Sequence, residues 1–206
     1  MEIHPPHGAA HSWKDLLIQL GTITAGILIA LSFDGVREWR HERSLVHEAR
    51  ETIVREISAN LKEVDGENGG VATRQANIQK LIDVVDRVLA KKPSGVTEMN
   101  VSANIAELNA AGWQTAERMG ALAHMEYDEV QRYSKLYGIQ QLYADRQRRT
   151  FEHAIAALSA LPGSPDDAPP QALEAVRLRL QELRADLLVE EQLGKHLSEE
   201  YRKTLH

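Results

Sequence analysis

Nine histidines, thirty acids and no cysteine bound the side-chain chemistry open to this chain of 206 residues. His4, His7 and His11 cluster near the N-terminus, and neutral imidazoles can hold a transition metal. No carboxylate stands at a fixed spacing beside them, and the segment MEIHPPHGAAHS reads as a flexible tail over 1–12. Glu38-Trp39-Arg40-His41 matches the Glu-x-x-His pattern of di-iron bundles. That chemistry needs two such motifs and two further inward acids; Glu152 and His153 are adjacent and cannot serve as the second. Gly66–Gly70 is glycine-rich, but Glu63, Asp65 and Glu67 give it the wrong charge for a phosphate cradle. Nucleophile-elbow, P-loop and dinucleotide fingerprints do not occur. Without cysteine there are no disulfides, thiolate nucleophiles or thiolate zinc sites. No catalytic, cofactor-binding or metal-ligating residue is therefore expected.

One stretch is chemically richer. Ala110–Tyr143 holds Trp113 and four of the five tyrosines, Tyr127, Tyr133, Tyr137 and Tyr143. Aromatic bodies with polar tips line ligand pockets and protein contacts, and they also fill cores. A ligand or partner contact there would use Trp113, Gln114, Tyr127, Arg132 and Tyr133.

The elements that position these residues read as helices throughout. Leu16–Phe33, LLIQLGTITAGILIALSF, is uncharged and lies between Asp15 and Asp34. At about 1.5 Å per residue it approaches the roughly 30 Å of a bilayer's hydrocarbon. Trp13 and Trp39 flank it as interfacial aromatics do. The transmembrane region is thus 13–39, with its core at 16–33. A cleaved signal peptide is the alternative, with Ala30-Leu31-Ser32 as the cleavage region. Gly21, Thr22, Ala25, Gly26 and Ala30 recur at intervals of four, spacing that suits close contact with another membrane helix. Arg37, Arg40 and Arg43 outweigh Lys14, which favours a cytoplasmic C-terminal domain; the periplasmic orientation is the alternative.

The remaining 40–206 is expected to be a helical bundle. No proline interrupts Ser12 to Val64, so the membrane helix continues as a stalk with a stripe at Leu45, Ala49, Ile53, Ile57 and Leu61. Asp65–Gly70 reads as a turn. Helices follow over about 71–92, 109–122, 126–161 and 171–205, with Val96–Leu108 open between loop and helix. The third long helix would face inward with Val130, Tyr133, Tyr137, Leu142, Ile155 and Leu158. The last carries a coiled-coil-like seam, Leu173, Val176, Leu180, Leu183 and Leu187. The fold class is all-α: a transmembrane helix, a stalk and an antiparallel four-helix bundle.

GTITAGILIALSFDGVREWRHER and WQTAERMGALAHMEYDEVQRYSKLY resemble two recurring motifs of a group of bacterial single-pass inner-membrane proteins with no established activity. That resemblance implies a bacterial inner-membrane setting and nothing catalytic. With a net charge of −6, nucleic acid is not an expected partner. The expected partners are the bilayer and either further copies of the chain or another membrane protein. The sequence therefore reads as a non-enzymatic, membrane-anchored interaction or scaffold protein, or an accessory subunit of a membrane complex. A membrane-tethered sensor or ligand-binding module is the alternative.

Overall fold

A computed structural model describes residues 13–96, 99–101, 104–160 and 164–205. The N-terminal tail with His4, His7 and His11 lies outside the described residues. The chain is all-α, with no strand among the described residues: α1 is Trp13–Leu89, α2 Ala111–Arg118, α3 Tyr127–Ala160 and α4 Pro170–Leu205. Short 3-10 turns occupy Ala121–His124 and Pro165–Asp167. Two compact units divide the chain, Met1–His47 and Glu48–His206.

The described part of the first unit is the beginning of α1. Its apolar side chains are uncovered: none of the hydrophobic window that starts at Leu16 is buried, and Ile18, Leu31 and Phe33 are all exposed. The hydroxyls of Thr22 and Ser32 donate to the carbonyls of Ile18 and Leu28, at 2.9 and 2.7 Å. Both hydroxyls thereby find a partner within their own helix. Arg43 lies over the Trp39 ring, 4.6 Å from its centroid.

In the second unit, three long helices share one core. Ion pairs and hydrogen bonds fix their directions. Arg50–Glu129, Glu56–Tyr137 and Asn60–Gln140 make the second half of α1 parallel to α3. Asp65–Arg202, Gln75–Glu191 and Asp86–Arg177 make α4 antiparallel to α1. Lys135–Glu200 and Arg146–Asp186 do the same for α3 and α4.

This differs from the expected four-helix bundle. Asp65–Gly70, expected to be a turn, is part of α1. Glycine costs about 1 kcal/mol per residue in a helix, but tertiary contacts hold this stretch straight through. Asp65 accepts from Ser198 Oγ and from Arg202, Asn68 donates to Ser198, and Glu67 pairs with Arg74. One helix therefore replaces two, and among the described residues there is no fourth long helix to complete the bundle.

The chain returns instead as an irregular strap between α1 and α2. At one end, Asp166 accepts from the backbone N–H and the hydroxyl of Ser94, at 2.8 and 2.6 Å. In the middle, Val101 enters the core with Ile78, Ile82, Ala154 and Leu183. At the other end Asn109 pairs with Asn60. The distance explains why the described part of this return is not helical. From Leu89 back to Glu56 is roughly 50 Å along a helix at about 1.5 Å per residue. Extended chain at about 3.3 Å per residue covers that in roughly 15 residues.

The seam of α4 is as expected: Leu173, Val176, Leu180, Leu183 and Leu187 are all buried. That of α3 is not. Tyr133 and Tyr137 face inward, but Leu142, Ile155 and Leu158 are exposed. Their places in the core belong to Leu136, Gln140, Tyr143, Gln147, Thr150, Ala154 and Ala157. The apolar residues were a misleading guide because the buried face of α3 is largely polar or small.

Candidate functional site

Two polar layers cross the three-helix core, and one of them holds the aromatic region. Glu56 on α1 receives the start of α2: its carboxylate accepts Gly112 N–H at 2.7 Å and Trp113 N–H at 3.4 Å. The Tyr137 hydroxyl donates to the same carboxylate at 2.6 Å. Gly112 is needed for this approach, since a Cβ there would stand 3.0 Å from Thr52 and 3.3 Å from the Glu56 carboxylate. One turn along α1, Asn60 accepts the Asn109 N–H at 2.9 Å and donates to its carbonyl at 2.7 Å. Gln140 donates to that carbonyl and accepts from Asn60 and from the Tyr201 hydroxyl. Asn60, Gln140 and Tyr201 are buried, and each has its polar atoms matched.

The aromatic rings pack on this frame. Trp113 stacks on Tyr137 with centroids 5.4 Å apart, and tilts against Tyr133 at 6.2 Å. The structure thus brings together Trp113 and Tyr133 of the five expected contact residues. Gln114 and Arg132 lie exposed. So does Tyr127, at 73%, with its hydroxyl accepting from Gln131. Burial, and after it the neighbouring Glu129, raises the Tyr133 phenol. Burial, followed by Glu56, pushes Tyr137 far above the usual tyrosine range. Glu129 itself is held below the usual carboxylate range by its paired hydrogen bonds from Arg50, at 2.8 and 2.5 Å. Glu56 and the packed rings make this a docking frame for α2.

The second layer lies nearer the middle of the unit and contains acids and an arginine. Arg74 is 8% exposed and reaches Glu67 at 2.8 Å. Glu190 on α4 is 2% exposed, and so is Gln147 on α3. A small recess beside them is lined by Arg74, Asn104, Thr150, Phe151, Leu187 and Glu190, among others. Glu190 Oε2 and both amide atoms of Gln147 have no hydrogen-bond partner among the described residues. Burial raises the Glu190 carboxyl and Glu67 adds to this, while Thr150, Arg74 and Gln147 oppose it.

Sequence reasoning passed over Glu56, Asn60, Arg74, Gln140, Gln147 and Glu190, which carry no motif, and placed Glu67 in a turn. A signal was present. Buried positions on α4 alternate by three and four from Leu173 to Tyr201 without a break, and Glu190 falls on that seam. On α1 the buried Ile53, Ile57, Asn60, Val64, Val71, Arg74 and Ile78 keep the same spacing, with the half-buried Glu67 at the step between Val64 and Val71.

The small residues Gly21, Thr22, Ala25, Gly26 and Ala30 are exposed on α1, and a Cβ at Gly21 or Gly26 would meet nothing within 4 Å. No group of three or more metal-ligating side chains occurs among the described residues. No family model, curated protein or solved structure matches the chain.

Proposed function

We propose that this protein is a non-enzymatic, membrane-anchored interaction protein, an accessory or scaffold subunit held in a bacterial inner membrane by the first part of α1. The observation that carries this reading is the uncovered apolar surface of Leu16–Phe33, none of which is buried. Left in water, such a surface would drive aggregation; lipid or a partner helix satisfies it. The flanking Trp13 and Trp39 and the abrupt charge boundaries support lipid as the cover. Arg37, Arg40 and Arg43 favour a cytoplasmic bundle. The small-residue face through Gly21, Ala25, Gly26 and Ala30 is the proposed contact with a second copy or another membrane helix. On the bundle, the proposed contact is the surface around Trp113 and Tyr133, where Gln114, Tyr127, Arg132 and Met119 are exposed.

One experiment tests the reading in two steps. Lys203→Cys introduces a single thiol into a chain that has none. We expect the protein to stay with membranes through an alkaline carbonate wash, and the thiol to resist an impermeant maleimide in intact spheroplasts. Release by carbonate would overturn the anchoring, and labelling in spheroplasts would reverse the orientation. The intact mass of the detergent-solubilised protein then discriminates a homo-oligomer, which supports a scaffold, from a stoichiometric heterocomplex, which supports an accessory subunit. A bare monomer would count against both.

A further inference from the structure

We propose that Glu190 is a proton-binding site, and that the proton it holds keeps the glycine-bearing turns Asp65–Arg74 of α1 docked against α4. The inference starts from a count of buried charge. Glu67 and Glu190 face a single guanidinium, that of Arg74, and Arg74 already pairs with Glu67. One negative charge is left without a counter-charge at a residue 2% exposed. An unpaired carboxylate in such a place is costly, and taking up a proton removes the cost.

The hydrogen-bond inventory points the same way. Glu190 Oε2 and Gln147 Oε1 are both buried and unpartnered among the described residues. The Gln147 amide Nε2 is unpartnered as well, and a carboxylic acid on Glu190, with one donor and one acceptor, can match both ends of that amide where a carboxylate can match only the Nε2 end. From α1 the groups facing Glu190 are Glu67 and Arg74. From α3 they are Thr150, Gln147 and Tyr143, whose phenol is pushed well above its usual range by burial, Glu190 and Glu67 and so stays neutral. The strap contributes the uncharged Asn104.

The same level of the core is where α1 is intrinsically weakest. Gly66, Gly69 and Gly70 stand within one turn of Glu67 and Asn68. This part of α1 is secured to α4 by Asp65 with Ser198 and Arg202, and by Asn68 with Ser198. Gly194 lets the helices approach here, since a Cβ on it would collide with Asn68 and stand 3.1 Å from Tyr143. A charge that appears on Glu190 therefore acts on the segment least able to resist it.

The sign follows from linkage. Glu190 is raised in the folded state. The docked form thus binds the proton more tightly than the open form. Its contribution to docking is complete below the unfolded-state carboxyl range and is lost as pH rises through the folded value. Docking is firmest in acid and loosens toward alkaline pH.

The test is hydrogen–deuterium exchange of the full chain in detergent at a series of pH values, corrected for intrinsic chemistry. Amides of 65–75 in the wild type should lose protection as pH rises, by up to about tenfold per pH unit for one linked proton. Glu190→Gln, with helicity checked by circular dichroism, should keep protection high and level. Glu67→Gln frees Arg74 for Glu190 and should move the whole transition to lower pH. An infrared carbonyl band of a protonated carboxyl should be present in the wild type and absent in Glu190→Gln. Protection in the wild type that does not change with pH would overturn the proposal. So would the same pH dependence in Glu190→Gln, or protection that follows sodium or potassium concentration at fixed pH, which would make a metal cation the occupant.

Discussion

The two polar layers of the bundle are built from similar parts and satisfied to different degrees. Around Asn60, Gln140 and Tyr201, every donor meets an acceptor, and the network also fixes the strap through the backbone of Asn109. Around Glu67, Arg74, Gln147 and Glu190, one salt bridge is made and several buried polar atoms stay unmatched. Neutral amides can close a network completely because each carries both donors and acceptors. Acids and an arginine close only when charges and protons balance. The first layer therefore fixes the register of the strap, while the second leaves a site whose state depends on solution conditions.

The largest expected effect breaks the satisfied layer. Asn60→Ala removes the partner of the Asn109 N–H and carbonyl and of Gln140, leaving buried polar groups unpaired. Unfolding in detergent, followed by circular dichroism, should show a loss of about 3 kcal/mol. A loss near that of a surface substitution would mean the layer contributes little. Next comes Gly194→Ala at the charged layer, where the cost is steric. The new methyl meets Asn68 and Tyr143, and overpacking of this kind costs about 2 kcal/mol. An unchanged midpoint would show that α1 and α4 can separate there freely. The smallest effect is a gain. Gly66 and Gly69 lie in helical backbone, outside the set of positive-φ residues, with open space where a Cβ would go. Gly66→Ala and Gly69→Ala should each stabilise by about 0.5–1 kcal/mol, sharpening the contrast by stiffening the weaker layer.

Much of the fold was legible in the sequence. The uncharged run Leu16–Phe33 and the leucine seam of α4 carry their own periodicity, and the all-α class followed from them. Asp65–Gly70 misled because local turn chemistry was read without its partners. Those partners, Ser198 and Arg202, lie more than 130 residues away, and no local window contains them. The strap was hidden for a related reason: Val96–Leu108 has no period of its own, and its course is imposed by the groove that receives it. Of the expected contact residues, Trp113 and Tyr133 meet as aromatic packing would have it. Their anchor Glu56 was missed because a single acid at the edge of an apolar stripe looks like solvated surface. The polar layers sit on regular three-four spacing, so their positions could have been found; their chemistry is what disguised them.

The separation of Asp65 from Arg202, 137 residues, also sets an order of events during synthesis. The middle of α1 leaves the ribosome early, yet the side chains that secure it belong to α4 and emerge much later. Until residues near 200 have been made, the glycine-bearing turns have neither Ser198 nor Arg202 to hold them. Contacts of such long range form late and slow the folding of the whole. A nascent chain shortened before Ser198 should therefore carry a frayed α1 even where its strap and α3 are complete, so that quality control meets the defect in residues translated long before the missing ones.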